Sequence, residues 1–350
     1  MLRQNKFFFP VVVALLLLTL VFAIVNGAVH VGLSDMTSAL LHFFKGEKPA
    51  NIIEGVFLKI RLPRVLLCAI TGAILASSGV LMQGLFRNPI VEPGLAGTSA
   101  GAAFGASVVF VLSSSLSPQL KIMASSLLVP VFAFVGGLIA TLLVFRLAAA
   151  QKKVSVSSLL LIGIAINAIG ISGTGFMSYI ARDPQARSIT FWNLGTFAGA
   201  TWMQAIITIS VATVVFILSM RYARQLNALI LGEEEANYLG VNTERLKLRI
   251  IVLNTAMVSV ATAFAGVISF MGLIVPHVLR LLIGSDHKKL LPASMLAGAI
   301  LLTMADMGAR LILAPAEMPI GIITSIVGAP IFIVLLKRFN VLQEKGGYYA

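Results

Sequence analysis

The sequence predicts an all-α fold: a polytopic membrane protein with about ten transmembrane helices and both termini cytoplasmic. Three observations carry that expectation. Of the 350 residues, 58% are apolar. Only 11% are charged, against the ~25% usual for soluble domains. The apolar residues also gather into charge-free runs, most of them long enough to cross ~30 Å of hydrocarbon at 1.5 Å per residue. A soluble enzyme of this length would need far more polar surface. One cysteine, Cys68, excludes a disulfide scaffold, and the apolar share excludes a disordered chain.

The runs follow in order. Phe7–Ser34 comes after Arg3 and Lys6 and has the outline of a signal peptide. No small-x-small site closes it and many runs follow, so it is expected to remain as the first membrane helix. Val65–Phe86, Pro93–Leu120, Ile122–Phe145 and Val154–Ala181 read as simple spans. Ser188–Met220 is overlong. Its Phe191, Trp192, Gly195, Gly199 and Trp202 predict a short interfacial helix before the span, because Trp favours the headgroup level. Ile250–Leu279 carries Gly266, Gly272 and Pro276 in its second half. Pro removes a helix hydrogen bond and Gly loosens the backbone, which predicts one full span and one short, interrupted helix. Leu290–Ala305 must continue past Asp306 to cross, and Met318–Leu336 closes the series at ten. Residues 1–350 form a single transmembrane domain with no visible linker. Gly97, Gly101 and Gly105 fall on one helical face, where small residues let helices touch.

The net charge of +13 would raise nucleic acid as a partner in a soluble protein. Here the basic residues lie in short segments between apolar runs, so they orient the chain against membrane lipid, and no nucleic acid is expected. With ten spans and both termini inside, 17 of the 26 Lys and Arg residues are cytoplasmic and 9 external. Nine spans would place Lys337, Arg338 and Lys345 outside.

Enzyme chemistry is absent from the sequence. No HExxH or Walker-type phosphate loop is present, and the four His have no metal-ligand spacing. No cofactor, metal or catalytic residue is expected. Ionisable groups within spans are expensive and often functional, but they are sparse here. His277 reads as a packing residue, and Asp306 is spaced to pair with Arg310 at i,i+4. What remains is a transporter without its own energy source. The alternative is an ion-gradient-coupled secondary transporter of a metal complex, with Asp306 as its coupling group.

Several segments carry a resemblance. They are Arg61-Leu-Pro-Arg64, Gly79 to Pro89, Glu92-Pro-Gly-Leu-Ala-Gly97, Phe191-Trp192 with Gly195, Leu231 to Val241, Gly266 to Arg280, Ser285-Asp-His287, Ala305-Asp306 with Arg310, and Glu317 to Pro330. Collinear over residues 61–338, they resemble the permease family of ABC importers for iron chelates, haem and cobalamin. That resemblance implies a ten-helix subunit working as a homodimer in the inner (cytoplasmic) membrane. It also implies two cytoplasmic ABC ATPase subunits and an external substrate-binding protein.

The resemblance implies three sites. Arg61, Arg64 and Arg310 match external positions that meet acidic residues of the binding protein, where complementary charge steers docking. The cytoplasmic coupling segment, about 221–249, contains a helix resembling the family's coupling helices. Glu233, Glu234 and Glu235 suit its N-terminus, and Ala236, Leu239 and Gly240 would press on the ATPase. Asn88 and Ile90, with Val156 and Ser157, match the family's inner gate. Iron-siderophore and haem stand level as cargo, with cobalamin third. Met177, Tyr179 and Met203 would line a haem route unless they serve only in packing.

Overall fold

The computed structural model describes residues 6–27, 29–113, 127–150, 153–154 and 156–344. Within them the chain folds into helices α1 Phe8–Val25, α2 Leu33–Phe44, α3 Ile52–Phe86, α4 Thr98–Leu112, α5 Val129–Ala148 and α6 Val156–Ile180. There follow α7 Gln185–Asn193, α8 Trp202–Leu231, α9 Glu233–Tyr238, α10 Thr243–Ala265, α11 Met271–Ile283, α12 His287–Leu311 and α13 Ile320–Glu344. A 3₁₀ turn, Pro93–Ala96, leads into α4, and Ala149–Ala150 pairs antiparallel with Lys153–Val154. Seven helices are long and apolar enough to cross a membrane, and α4, α11 and part of α13 are shorter apolar helices. Together these make up the expected ten.

Both overlong runs divide as their residues require. Ser188–Met220 becomes α7 and α8, separated by a turn containing Gly195 and Gly199 at φ 72° and 83°. Ile250–Leu279 breaks between α10 and α11, with Gly266 at φ 73°. Asp306 lies within α12, which runs on to Leu311. Two boundaries differ from the sequence reading. The second span does not start at Val65, because its helix continues back to Ile52 through a π turn at Phe57–Arg61. The external segment before it holds the separate helix α2. The expected end of the Pro93 span and start of the next fall at residues 114–126, outside the described residues.

α3 is the axis of the bundle. It packs against α8, α10, α11 and α12, and 89% of its most apolar stretch is buried, against 22% for α6. Small residues explain that placement. A Cβ at Gly72 would stand 2.2 Å from the Gly298 carbonyl oxygen, and one at Gly79 1.8 Å from that of Gly272. Backbones of α12 and α11 therefore lie directly on α3, the packing that membrane helices use when lipid offers no hydrophobic drive between them. The glycine face Gly97, Gly101 and Gly105 serves the same end: Gly101 meets Gly136 of α5, and Gly105 meets the Phe132 carbonyl.

Candidate functional site

Polar side chains collect in three places. At one end of α3 lie the arginines. Arg64 donates from Nη2 to Asp306 Oδ1 at 2.9 Å and from Nη1 to both carboxylate oxygens of Glu317 at 2.8 Å. Arg310 Nε stands 3.0 Å from Asp306 Oδ2, the i,i+4 pair the spacing anticipates. Arg310 also donates to the carbonyls of Asn26 and Ala23, and Arg61 to those of Asn26 and Val29. These carbonyls lie at or just past the C-terminus of α1, where helix geometry leaves acceptors without partners and cations are favoured. Arg61, Arg64 and Arg310 are only 6%, 7% and 6% exposed. Their side chains are turned inward. The reason is chemical: two carboxylates and three carbonyls bind them inside, and Glu317 is the exposed member of the cluster.

At the opposite end lies the coupling segment. Gly232, at φ 144°, turns the chain from α8 into α9, whose first turn is Glu233, Glu234 and Glu235 as the helix dipole favours. Glu233 Oε2 accepts from the buried Lys247 Nζ at 2.7 Å, and Glu244 accepts from the same group at 3.0 Å. α9 is thereby fastened to α10. Ala236 is fully buried within the chain itself, so it is not available to a partner, while Leu239 and Gly240 are exposed. Tyr238, between Ala236 and Leu239 in the sequence, is 91% exposed.

Asn227 of α8 ties this region to α12. It donates to Asp286 Oδ1 at 2.7 Å and accepts from the backbone N–H of His287 at 2.9 Å. Asp286 caps α12 through the Lys288 N–H. Partial burial raises its carboxyl pKa, but the Asn227 and Lys288 hydrogen bonds and the charges of Lys288 and Lys289 outweigh that and hold it below the ordinary aspartate value. The His287 ring is buried against Gly84 of α3. None of Asn227, Lys247 or the His287–Gly84 contact stood out in the sequence, since each lies far from its partner along the chain.

The third place is the loop after α3. Asn88 Oδ1 accepts from the Ile90 N–H at 3.0 Å, and the Asn88 N–H donates to the Gln83 carbonyl. Both gate residues are half-buried. Val156 begins α6, with its side chain outside the described residues, and Ser157 is exposed. The two halves approach each other through neighbours: Phe86 and Leu159 line one small apolar gap. Beyond Ile90 the loop returns into the bundle, where Glu92 Oε1 accepts from the Phe270 N–H at 3.1 Å.

A cavity of about 380 Å³ opens between α4, α6 and α7, lined by Thr174, Ser178, Thr190 and Asn193 among apolar neighbours. Leu161, Ile164, Ile169, Ile171, Phe176 and Tyr179 leave one side of α6 open. Tyr179 and Met203 are exposed and Met177 is half-buried.

With this geometry in hand, comparison with known proteins is specific. The FecCD transport family model matches residues 15–338. The chain is 44% identical over 283 residues to the hemin transport system permease protein HmuU of Yersinia pestis, covering 81% of this chain and 83% of that one. It is 37% identical over 289 residues to the vitamin B12 import system permease protein BtuC of Vibrio cholerae, covering 83% and 85%. A solved structure of a transporter assigned to the metal-chelate ABC type, in an inward-facing conformation, superposes with a TM-score of 0.80 at 30% identity. It covers 93% of this chain and 97% of that one.

Proposed function

The chain belongs to the FecCD transport family, as a permease of the importers that carry haem, vitamin B12 or metal chelates, and from that premise we propose that its cargo is haem. It is a transport subunit and not an enzyme. The observation that carries the cargo reading is the 44% identity to a hemin permease over four-fifths of the chain, against 37% to 40% to vitamin B12 permeases.

In this reading two copies form the conduit in the inner membrane, with both termini cytoplasmic. Haem arrives from a soluble binding protein and crosses along the interface between the copies. The open apolar side of α6 and the hydroxyl-lined cavity beside it support that route. A weakly binding wall suits a bulky cargo that must also leave. Two ATPase subunits bind the exposed Tyr238 of α9 with Leu239 and Gly240 just after it, and Glu234 and Glu235 lie at the rim. ATP binding and hydrolysis move α9, and the loop bearing Asn88 and Ile90 opens against Val156 and Ser157 in alternation with the outer side.

The binding protein docks on the rim at the arginine end. Arg61, Arg64 and Arg310 act there by holding α1, α3, α12 and the Glu317 segment in register, rather than by direct charge contact. The same cluster weighs against gradient coupling through Asp306, whose carboxylate is clamped between two guanidinium groups.

The test is reconstitution. Liposomes holding the chain, its ATPase and its binding protein should accumulate haemin only with hydrolysable ATP. Uptake driven by an ion gradient alone refutes the ATP-driven reading. Accumulation of cyanocobalamin in preference to haemin refutes the cargo.

A further inference from the structure

Among the described residues only Arg87 and Phe270 are non-glycines with a left-handed backbone, at φ 50° and 70°. L side chains rarely adopt this conformation, and it persists where the surroundings over-determine it, often at switch regions. The two residues lie at opposite ends of one assembly. Arg87 begins the loop that carries Asn88 and Ile90, and Phe270 is the N-cap of α11. Glu92 joins them: it lies five residues along that loop and accepts the Phe270 N–H. Its carboxyl group faces the N-terminal, positive end of the α11 dipole.

The contact is reinforced on each side. Gly272, in the first turn of α11, has no side chain because a Cβ there would stand 2.4 Å from the Pro93 ring. Gln83, in the last turn of α3, donates to the carbonyls of Gly272 and Leu273 at 3.2 Å. Asn254 of α10 bonds Ser78 and reaches the Pro93 carbonyl. Loop and α11 are thereby packed as one piece.

The far end of α11 runs through Gly284 to Asp286, which Asn227 holds, and Asn227 is five residues before Gly232 and α9. α11 is 13 residues long, a rod of roughly 20 Å at 1.5 Å per residue.

We propose that Glu92 is a positioning residue for transport: it locks the gate loop to α11, so that displacement of α9 reaches Asn88 and Ile90 through that rod. This rests on the importer reading above and adds to it the part that carries the movement. Glu92 touches neither cargo nor nucleotide. Its role is to make the gate obey the ATPase.

Two measurements test it. In the reconstituted complex, with haemin as probe, Glu92→Ala is expected to lower haemin taken up per ATP hydrolysed by about tenfold while hydrolysis continues, the size of an ordinary coupling between sites. Glu92→Gln keeps an acceptor for the Phe270 N–H and is expected to restore most of the ratio. An unchanged ratio in Glu92→Ala, or equal loss of uptake and hydrolysis in both variants, overturns the proposal.

The second measurement leaves Glu92 intact and needs no cargo. Spin labels are placed at Ile90→Cys with Leu281→Cys on α11, or at Ile90→Cys with Leu161→Cys on α6, in chains diluted with unlabelled copies. Cys68 is buried and does not compete for label. Between nucleotide-free and ATP-bound complexes the 90–281 distance should hold within roughly 2 Å, the scale of a packed-helix shift, while the 90–161 distance changes by more. A loop that moves against α11, or does not move at all, overturns the proposal. Failure of the wild-type chain to take up haemin sinks the cargo reading instead and leaves this second measurement to decide.

Discussion

Asp306 lies between Arg64 and Arg310, and removing either guanidinium strands charge in the bundle. Breaking a buried pair costs about 3–5 kcal/mol, whereas replacing all partners by apolar groups is often tolerated. Arg64→Ala is therefore expected to lower stability by about that much in thermal unfolding of nanodisc-embedded protein. A variant that unfolds with the wild type would show the pair to be idle. Asp286 gives a pH dependence. Its carboxyl is held below the ordinary value, so its stabilising share is complete above pH ~4 and fades as pH falls through the lowered value. Asp286→Ala should cost about 1 kcal/mol at neutral pH, as loss of an N-cap does. The gap should close in acid, and a gap that widens there would reverse the sign of the argument. The i,i+4 pairing of Asp306 with Arg310 was legible because both residues lie on one helix. Arg64 and Glu317 were not legible as its partners, since sequence separation hides them.

At the scale of elements, the close approach of α11 to α3 is the tightest contact described and the easiest to break. Gly79→Ala places a methyl where the Gly272 carbonyl stands. It is expected to cost about 1–3 kcal/mol, as overpacking does, while Gly175→Ala, with nothing within 4 Å, should be near neutral. Unfolding midpoints that move equally would refute that account. The breaks between α7 and α8 and between α10 and α11 could be read beforehand, because Gly and Pro act locally. The backward extension of α3 to Ile52 could not. Its residues include Lys59, Arg61 and Arg64, which look like a loop until Asp306 and Glu317 are seen to pair with Arg64 and the Asn26 and Val29 carbonyls to hold Arg61. The coupling segment was legible as a short acidic helix. Which of its faces turned outward was not, since that depends on how α8 and α10 fold against it.

For the molecule as a whole, the open side of α6 predicts a second copy. Ile169 and Ile171 are 67% and 66% accessible, and Ile171 borders the cavity that holds Thr174, Ser178, Thr190 and Asn193, polar groups better met by a partner helix than by lipid tails. Ile169→Arg with Ile171→Arg should shift the complex in nanodiscs from two permeases to one by mass measurement, with α3 packing untouched. Persistence of the pair would move the interface elsewhere. The ten-span plan and the family resemblance were visible in the sequence because hydropathy and short motifs are local. The neighbourhood of Asn88 and Ile90 was only half visible, as their loop and α6 come near each other through folding. The length of α3 has a consequence of its own. At 35 residues it extends over roughly 52 Å, more than the ~40–45 Å of a bilayer with its headgroups. One unbroken helix is thus longer than the bilayer is thick and ends beside Asn88, so a tilt imposed at Ile52 is carried by a single rigid lever to the far side of the bundle.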